Sequence, residues 1–345
     1  MTEPADFTAL PDLASRRFGG GVVVASDELF AEKENLIKPG PPVFDPATFG
    51  AKGKVYDGWE TRRRRDDGHD HAVVRLGAAG VIHGVIVDTG YFRGNYPPEI
   101  SVEAVRAGGY PSPAELAAMT WTTLVARCGA DGDTANRYPV SEDRIWTHVR
   151  LSIYPDGGVA RLRVHGEAVP DPAFLTGTVD LAAAENGGLV TASSDSFYSS
   201  AANLIAPGRP AGMADGWENA RRRGPGNDYV VVRLGLPGLI RHAEIDTSYF
   251  VGNAPGWIRL TATGPATGPA TGPATGPAAW WELLPRTRVQ PDTRHRFPIG
   301  AARVAGQVRL DVYPDGGVGR LRLFGTVGAP VLAALERRWR SPDPR

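Results

Sequence analysis

The sequence is poor in cysteine, and it has neither a long apolar run nor a net charge. Its one cysteine, Cys128, cannot form a disulfide within the chain, which favours a reducing compartment, and we expect a cytoplasmic protein. No window approaches about 20 continuous apolar residues, so neither a transmembrane helix nor a membrane partner is predicted. The opening MTEPADFTALPDLASRR lacks the apolar segment of a secretory signal. Lysine plus arginine number 38, as do aspartate plus glutamate, which argues against a nucleic-acid partner.

Several chemical motifs are missing as well. The chain contains no G-x-G-x-x-G after a strand, no phosphate-binding lysine loop, no H-E-x-x-H and no G-x-S-x-G. We therefore expect no cofactor. A divalent metal stays open, because His69 and His71 would place two imidazoles on one face of a strand. No third ligand is identifiable, so no set of metal ligands is predicted.

What the sequence does have is an internal duplication. Residues 56–95 align with 214–253 at 22 identical positions of 40, and 151–166 align with 310–325 at 11 of 16. The block SDELFAEKENLI (26–37) matches SDSFYSSAANLI (194–205), and the blocks keep the same order in both halves. The chain is therefore predicted to contain two tandem repeats, at 15–168 and 182–327.

Each repeat is predicted to be an antiparallel β-sandwich. In HVRLSIYPDGGVARLRVHG (148–166), two runs of alternating apolar and polar residues flank a glycine-rich turn, which predicts a β-hairpin with one buried face. AVVRLG and GVIHGVIVDT are predicted to be further short strands bounded by glycine. Only the stretch around residues 113–116 looks helical. Many short strands in about 150 residues favour an all-β, jelly-roll-like sandwich over a parallel α/β fold.

The two copies differ in length at two places. The first has 10 more residues between Ile37 and Asp57 than the second has between Ile205 and Asp215. The second carries TGPATGPATGPATGPA at 263–278, whose composition is typical of a flexible loop.

Two charged blocks are candidates for a binding or catalytic site. DGWETRRRRDDGHDH (57–71) combines a tryptophan with arginines, acids and histidines. Arginines placed this way suit bidentate binding of a carboxylate, although a solvated charged loop is the alternative. VDTGYFRGN (87–95) follows a predicted strand, and its Asp88, Thr89, Gly94 and Asn95 are also ordinary turn residues.

Comparing the copies separates residues needed for folding from residues needed in one copy. Trp59, Arg75 and Pro155 recur in the second copy, which indicates a role in the fold. Several polar residues occur only in the first: Thr61, Arg62, His69, His71, His83, Arg93 and the cluster Glu32-Lys33-Glu34. Histidine is the commonest acid/base group near neutral pH, so the first copy is favoured as the catalytic one.

Together these blocks resemble the allantoicase (allantoate amidinohydrolase) family. The resemblance is carried by DGWETRRRR, GHDHAVVRLG, VDTGYFRGN and RLSIYPDGGVARLRVHG with their second-half partners, and it covers nearly the whole chain. It implies two tandem jelly-roll domains related to galactose-binding-like sandwiches. It also implies hydrolysis of allantoate, a small ureide, to ureidoglycolate and urea in purine degradation, and assembly into homo-oligomers.

The residues suit that substrate, which has one carboxylate and two ureido groups on a single carbon. We predict that Arg62, Arg63, Arg64 or Arg93 holds the carboxylate, and that Asp88, Thr89 and Asn95 hydrogen-bond a ureido arm. Glu60, His69 or Asp70 is predicted to be the general acid or base. The extra 38–56 segment of the first copy is predicted to cover the site.

Other functions fit parts of the same pattern. A tandem carbohydrate-binding module would share the sandwich fold but would need an exposed aromatic platform rather than matched arginines and acids. A related enzyme acting on ureidoglycolate would use similar groups. A structural scaffold would tolerate Arg93→Val and His69→Asn, whereas the catalytic hypothesis predicts a strong loss of activity from Arg93→Val.

Overall fold

The computed structural model describes residues 6–50, 53–265, 279–300 and 302–340. The chain forms two units, Met1–Val169 and Pro170–Arg345. Most of the predicted TGPA loop, residues 266–278, lies outside the described residues. In the part of the chain that is described, no helix has the length and apolar character needed to cross a bilayer.

The first unit is built almost entirely of antiparallel strands. They are β1 (Gly21–Ala25), β2 (Phe49–Gly50), β3 (Gly53–Lys54), β4 (Trp59–Glu60), β5 (Asp70–Asp88), β6 (Glu99–Val105), β7 (Thr122–Gly129), β8 (Ala135–Pro139), β9 (Trp146–Tyr154), β10 (Gly158–Val159) and β11 (Arg161–Ala168). The helix α1 (Pro113–Ala118) begins with a capping box, in which Ser112 and Glu115 satisfy each other's backbone N–H groups. Short 3₁₀ helices span Phe7–Ala9, Arg16–Phe18, Lys33–Ile37 and Pro172–Phe174, the last belonging to the second unit.

The long strand β5 belongs to both layers of the sandwich. Its first part, residues 70–75, pairs with β1 on one side and β9 on the other. Its second part, residues 80–88, pairs with β11, and 84–88 pairs with β8. The order of the larger layer is β1-β5-β9-β6-β7. One strand thus joins the layers at a corner, and apolar residues of both layers meet between them.

This pairing corrects the predicted hairpin. The two runs on either side of the Pro155-Asp156-Gly157-Gly158 turn form β9 and β11, but each pairs with β5 and not with the other. The separate short strands predicted for AVVRLG and GVIHGVIVDT are one strand, β5. Alternating residues show that a strand has a buried face, but they do not identify its neighbour.

The core of the first unit lies between the layers. Its centre is formed by residues with no exposed surface, including Trp59, Val74, Val85, Leu151 and Leu162. These residues come from β4, from both parts of β5, from β9 and from β11, so burial of this cluster fixes the ends of the strands where the polar loops begin.

The second unit repeats the arrangement. Its strands are β12 (Val179–Asp180), β13 (Leu189–Ser193), β14 (Asp228–Asp246), β15 (Trp257–Thr263), β16 (Trp281–Arg288), β17 (Arg294–Pro298), β18 (Ala305–Tyr313) and β19 (Arg320–Val327). Its further 3₁₀ helices span Ala184–Asn186, Ala201–Ile205 and Met213–Asp215. Strand β14 is the equivalent of β5. It pairs with β13 and β18 along its first part and with β17 and β19 along its second. The predicted all-β class, with two tandem jelly-roll sandwiches, is confirmed.

One element was missed by the sequence analysis. A helix, α2 (Ala329–Arg340), follows the last strand, and the expectation that only the stretch near residue 113 is helical was wrong. Pro330 lies in its first turn, where proline costs no hydrogen bond, and the Trp339 indole donates to the Pro170 carbonyl at 2.9 Å.

Buried His148 predicts acid sensitivity of the first unit. It lies on β9 with 2% of its surface exposed, and burial together with nearby Arg75 lowers its pKa to about 4. In the unfolded chain the pKa of histidine is about 6.5, so folding stability is lost as pH falls from about 6.5 toward 4. We expect the free energy of unfolding, measured with urea, to be about 2 kcal/mol lower at pH 5 than at pH 7.

The second repeat supplies a control for this prediction, because Gln307 occupies the position equivalent to His148. In the His148→Gln variant, the free energy of unfolding should differ between pH 7 and pH 5 by about 2 kcal/mol less than in the wild type. An unchanged difference would show that His148 does not cause the acid sensitivity.

Candidate active site

A buried tryptophan positions the first charged block. Trp59 is fully buried, and its indole N–H donates to the Asp27 carbonyl at 2.7 Å. The short strand β4 that contains it pairs with β10, with Glu60 opposite Gly158. The following residue, Glu60, is therefore held half-buried at a fixed place beside the turn that precedes β11.

Glu60 meets the second charged block at Asn95. The Asn95 amide donates to Glu60 Oε1 at 2.6 Å, and the Asn95 carbonyl accepts from the Gly158 amide at 2.7 Å. Burial raises the pKa of the Glu60 carboxyl, although the hydrogen bond from Asn95 acts in the opposite direction. Two predicted site residues that are 35 positions apart are thus in direct contact, and one is a carboxyl with a perturbed pKa.

Arg64 is held at the same place by its backbone and by its side chain. Its amide donates to Asp156 Oδ2 at 2.7 Å, and its guanidinium donates to Asp70 at 2.7 Å and to Asp66 at 2.8 Å. Asp70 is 1% exposed and also accepts from the Ser26 hydroxyl at 2.8 Å. Asp70, a predicted acid/base group, therefore lies beneath Arg64 and anchors it.

The other predicted carboxylate-binding arginines differ in their partners. Arg62 donates to Asp27 at 2.6 Å, and Arg93 donates to Asp133 at 2.9 Å with 79% of its side chain exposed. Arg63 is exposed, and no side chain or backbone group in the described ranges forms a hydrogen bond or ion pair with its guanidinium. Of these four arginines, Arg63 is therefore the one most available to a ligand. We name Glu60, Arg63, Arg64, Asn95 and Asp156 the first-repeat site.

Asp88 and Thr89 shape the turn that presents Asn95. The Asp88 carboxylate accepts from the Gly90 amide at 2.8 Å. Thr89 is fully buried, and its hydroxyl donates to the backbone carbonyls of residues 131 and 134 at 2.6 and 3.0 Å. These contacts match the ordinary role of Asp and Thr in turns, and the structure does not bring Thr89 to the surface beside Glu60.

His69 lies beside Tyr154. Its ring centroid is 4.6 Å from that of Tyr154, and 6.4 Å from that of His71. Burial lowers the pKa of both histidines, and the positive charges of Arg64 and Arg150 lower it further. His69 is thus a neutral imidazole near pH 7. Among the described residues, no group of three or more His, Cys, Asp or Glu side chains is arranged to hold a metal ion.

The extra segment of the first copy packs against Asp57 and the aromatic residues of the second block. The Val43 amide donates to Asp57 at 3.1 Å, and Phe44 stacks on Tyr56 and Tyr91 with centroid distances of 5.1 and 5.5 Å. This places the segment beside the turn that carries Asn95. Whether it covers a bound ligand stays a prediction.

The second repeat reproduces the same framework around a cleft of about 390 Å³. Asn253 donates to Glu218 at 2.6 Å, the Arg222 amide donates to Asp315 at 2.7 Å, and the Trp217 indole donates to the Asp195 carbonyl at 2.7 Å. We name this the second-repeat cleft; its lining includes Tyr198, Glu218, Asn219, Arg221, Arg222 and Asn253.

The second-repeat cleft shows what reasoning from the sequence missed. Glu218 and Asn253 are the counterparts of Glu60 and Asn95, and they line a cleft although the sequence favoured the first copy as the catalytic one. The available signal was the identity of these residues in both copies. Arg221 and Arg222, which align with Arg63 and Arg64, line the cleft, whereas Val251, which aligns with Arg93, is not among the lining residues.

The fold and the site define a duplicated jelly-roll protein with a polar candidate site in each repeat. In each repeat a Glu–Asn pair joins the loops before and after the long strand, and the loop before that strand also carries two consecutive arginines. In the second repeat these arginines line the same cleft as the Glu–Asn pair. Such a site is suited to a small molecule that carries a carboxylate and further hydrogen-bonding groups.

Comparison with known proteins identifies the particular family. The allantoicase repeat model matches residues 11–169 and 179–328. A probable allantoicase of Nocardia farcinica is 57% identical, with 94% of this chain and 97% of that protein covered. A probable allantoicase of Streptomyces coelicolor is 50% identical, with 96% and 90% covered. The crystal structure of allantoicase from Saccharomyces cerevisiae aligns with a TM-score of 0.75 at 32% identity, over 93% of this chain and 96% of that one. The chain belongs to the allantoicase family.

Proposed function

We propose that this chain hydrolyses allantoate to ureidoglycolate and urea, a step of purine degradation, and that the reaction takes place at the first-repeat site. Family membership over both repeats supports the activity. The observation that supports the location is the half-buried Glu60 carboxyl, which has a raised pKa and contacts Asn95. Arg63, which has no partner among the described residues, follows three positions later in the same loop.

The reaction replaces one ureido group of allantoate with a hydroxyl group. A water oxygen forms a bond to the central carbon, the bond from that carbon to one ureido nitrogen breaks, and a water proton ends on the departing nitrogen. Urea and ureidoglycolate are the products, and no oxidant or reductant is needed. The protein must hold the carboxylate, accept the water proton and deliver a proton to the nitrogen.

Arginine charge explains binding of the carboxylate. Arg64 has its guanidinium fixed by Asp70 and Asp66, so it contributes a positioned charge. No group in the described ranges pairs with the Arg63 guanidinium, and its counterpart Arg221 lines the second-repeat cleft. We assign the carboxylate contact to Arg63, with Arg64 in support because its counterpart Arg222 also lines the second-repeat cleft. Arg62 and Arg93 lie outside the contact, because each pairs with an acid and neither has an arginine counterpart in the second repeat.

Glu60 is the group best placed to move the proton. As a carboxylate it accepts the proton of the attacking water, and as a carboxylic acid it then donates to the departing nitrogen. Burial raises its pKa, which makes the carboxylate a stronger base and its protonated form easier to reach. Asn95 keeps the Glu60 side chain in one orientation and is available to a ureido carbonyl or N–H group. His69 stays a predicted second acid/base group.

The pH dependence follows from this assignment. Glu60 must be ionised to accept the proton, so kcat/KM should fall as pH drops through its pKa, which lies above the ordinary glutamate value of 4.5. We expect a slope of about one on the acid side. Initial rates between pH 4 and 8, with tryptophan fluorescence as a control for folding, provide the measurement. A midpoint at or below 4.5 would remove Glu60 from this role.

Product analysis separates the proposed activity from the alternatives. The purified chain is incubated with allantoate, and separately with ureidoglycolate, with and without added divalent metal, and released urea is quantified. We expect faster urea release from allantoate. Faster release from ureidoglycolate would indicate the related enzyme, and no release under any condition would favour a binding module.

We further infer that the protein works in the cytoplasm as a homo-oligomer. The single cysteine, which cannot form an internal disulfide, supports a reducing compartment, and the resemblance to the family supports self-assembly. Light scattering coupled to gel filtration gives the mass in solution, and the mass of a single chain, 36.7 kDa, would contradict self-assembly.

A further inference from the structure

The second-repeat cleft contains a buried donor that no group in the described residues accepts. Asn219 is 5% exposed and lines the cleft. Its Oδ1 accepts from the Gly316 amide at 2.8 Å, which fixes the orientation of the side-chain amide. Its Nδ2 is buried and, in the described ranges, has no acceptor. A buried N–H without an acceptor is unfavourable unless a ligand supplies one.

The first repeat does not share this feature. Thr61 occupies the equivalent position and is similarly buried. Its hydroxyl accepts from the Gly157 amide at 3.2 Å and approaches the Gly157 carbonyl at 3.5 Å. A hydroxyl satisfied by one backbone residue has thus been replaced by an amide that has an additional donor. Since both repeats fold with the same turn at this place, the fold does not require the additional N–H of Asn219.

The other walls of the second-repeat cleft suit a small carboxylate. Arg221 is exposed, and Arg222 is held by Asp228 as Arg64 is held by Asp70. Glu218 and Asn253 add an acceptor and an amide, and Tyr198, 66% exposed, forms an aromatic edge. A volume of about 390 Å³ is within the range of small-molecule sites.

We propose that the second-repeat cleft is a ligand site in its own right, which binds a small carboxylate carrying a ureido or carboxamide group. The Asn219 Nδ2 donates to the carbonyl oxygen of that group, and Arg221 binds the carboxylate. The choice of a ureido ligand rests on the proposed function, whereas the donor and the cleft do not. Asn219 selects ligands with a carbonyl oxygen at this position, because Thr61 presents no such donor in the first repeat.

Titration calorimetry with N-carbamoylglycine, a stable ureido carboxylate, tests the proposal on the full-length chain. We expect two equivalents bound per chain. The protein with Arg63→Ala, which weakens the first-repeat site, should keep the equivalent that belongs to the second repeat. Adding Asn219→Thr, which introduces the residue found in the first repeat, should then lower the affinity of the remaining site at least tenfold.

A single equivalent per chain that Arg63→Ala abolishes, or an affinity that Asn219→Thr leaves unchanged, would overturn the proposal. Should Asn219→Thr fail to fold, as judged by its thermal midpoint, Arg221→Ala is the second variant, because this side chain is exposed. Arg221→Ala should lower the affinity of the second-repeat site tenfold, and an unchanged affinity would again overturn the proposal.

The same preparations separate this inference from the proposed function. Binding of two equivalents of N-carbamoylglycine with the expected dependence on Asn219, but no urea from allantoate, would refute the catalytic assignment and still support the second site. Urea release together with a single bound equivalent that Arg63→Ala abolishes and Asn219→Thr leaves unchanged would refute the second site alone.

Discussion

Replacing Glu60 by glutamine is expected to lower urea release from allantoate by about 10²- to 10⁴-fold, because general acid/base catalysis contributes about that much. Glutamine retains the size of the side chain and can still accept a hydrogen bond from Asn95, so the contact that holds the loops together survives. The measurement is kcat for urea release, with the thermal midpoint determined on the same sample. The acid limb of the pH profile should vanish in this variant.

The second repeat offers the matched exchange, Glu218→Gln, since Asn253 contacts Glu218 at the same 2.6 Å as Asn95 contacts Glu60. If the chemistry belongs to the first repeat, the loss from Glu218→Gln should be at least tenfold smaller. Equal losses in the two variants, or a larger loss from Glu218→Gln, would move the catalytic assignment away from Glu60 alone.

Replacing Arg63 by alanine is the second exchange with a large expected effect. A charge-assisted contact contributes about 1.5–3 kcal/mol, so we expect kcat/KM for allantoate to fall about 10- to 150-fold, mainly through a higher KM. Stability should change little, because Arg63 is exposed and its guanidinium forms no ion pair or hydrogen bond in the described part of the chain. Arg63→Lys should recover only part of the loss, because an ammonium group cannot form the bidentate contact.

Arg93→Val is the comparison for Arg63→Ala, because the second repeat has valine at this position. The sequence comparison alone favoured Arg93, since it occurs in one copy only. The ion pair with Asp133 and the high exposure of Arg93 instead indicate that it stabilises a surface turn. We now expect less than a threefold change in kcat/KM from Arg93→Val, in line with the small contribution of exposed ion pairs. A loss as large as that of Arg63→Ala would restore Arg93 to the site.

The sequence predicted the fold class well because the relevant signals are local. Alternating residues, glycine-rich turns and a duplicated order of blocks are enough to indicate two β-sandwiches. Strand pairing is not local: β9 and β11 flank one turn, yet each pairs with a different part of β5. The helix α2 was missed because it lies outside both repeats, where the duplication provides no guide.

The sequence identified which blocks of the chain contribute to the candidate site, but not how their side chains pack. Glu60 and Asn95 lie in the two charged blocks, and the structure brings them together at 2.6 Å. The blocks did not show that Thr89 is buried or that Asp70 lies beneath Arg64, because burial depends on packing between distant strands. Because the comparison of the copies looked for residues present only in the first, it did not single out Asn219, which differs from Thr61 and lines a cleft.

Glu60 and Arg63 are proposed to act together on allantoate in the first repeat. The most direct test of this proposal is a crystal structure of the Glu60→Gln protein with allantoate bound. We predict that the substrate carboxylate lies within about 3 Å of the Arg63 guanidinium, and that a ureido nitrogen lies within about 3 Å of residue 60. Allantoate bound away from residue 60, with no contact to Arg63, would contradict the assignment.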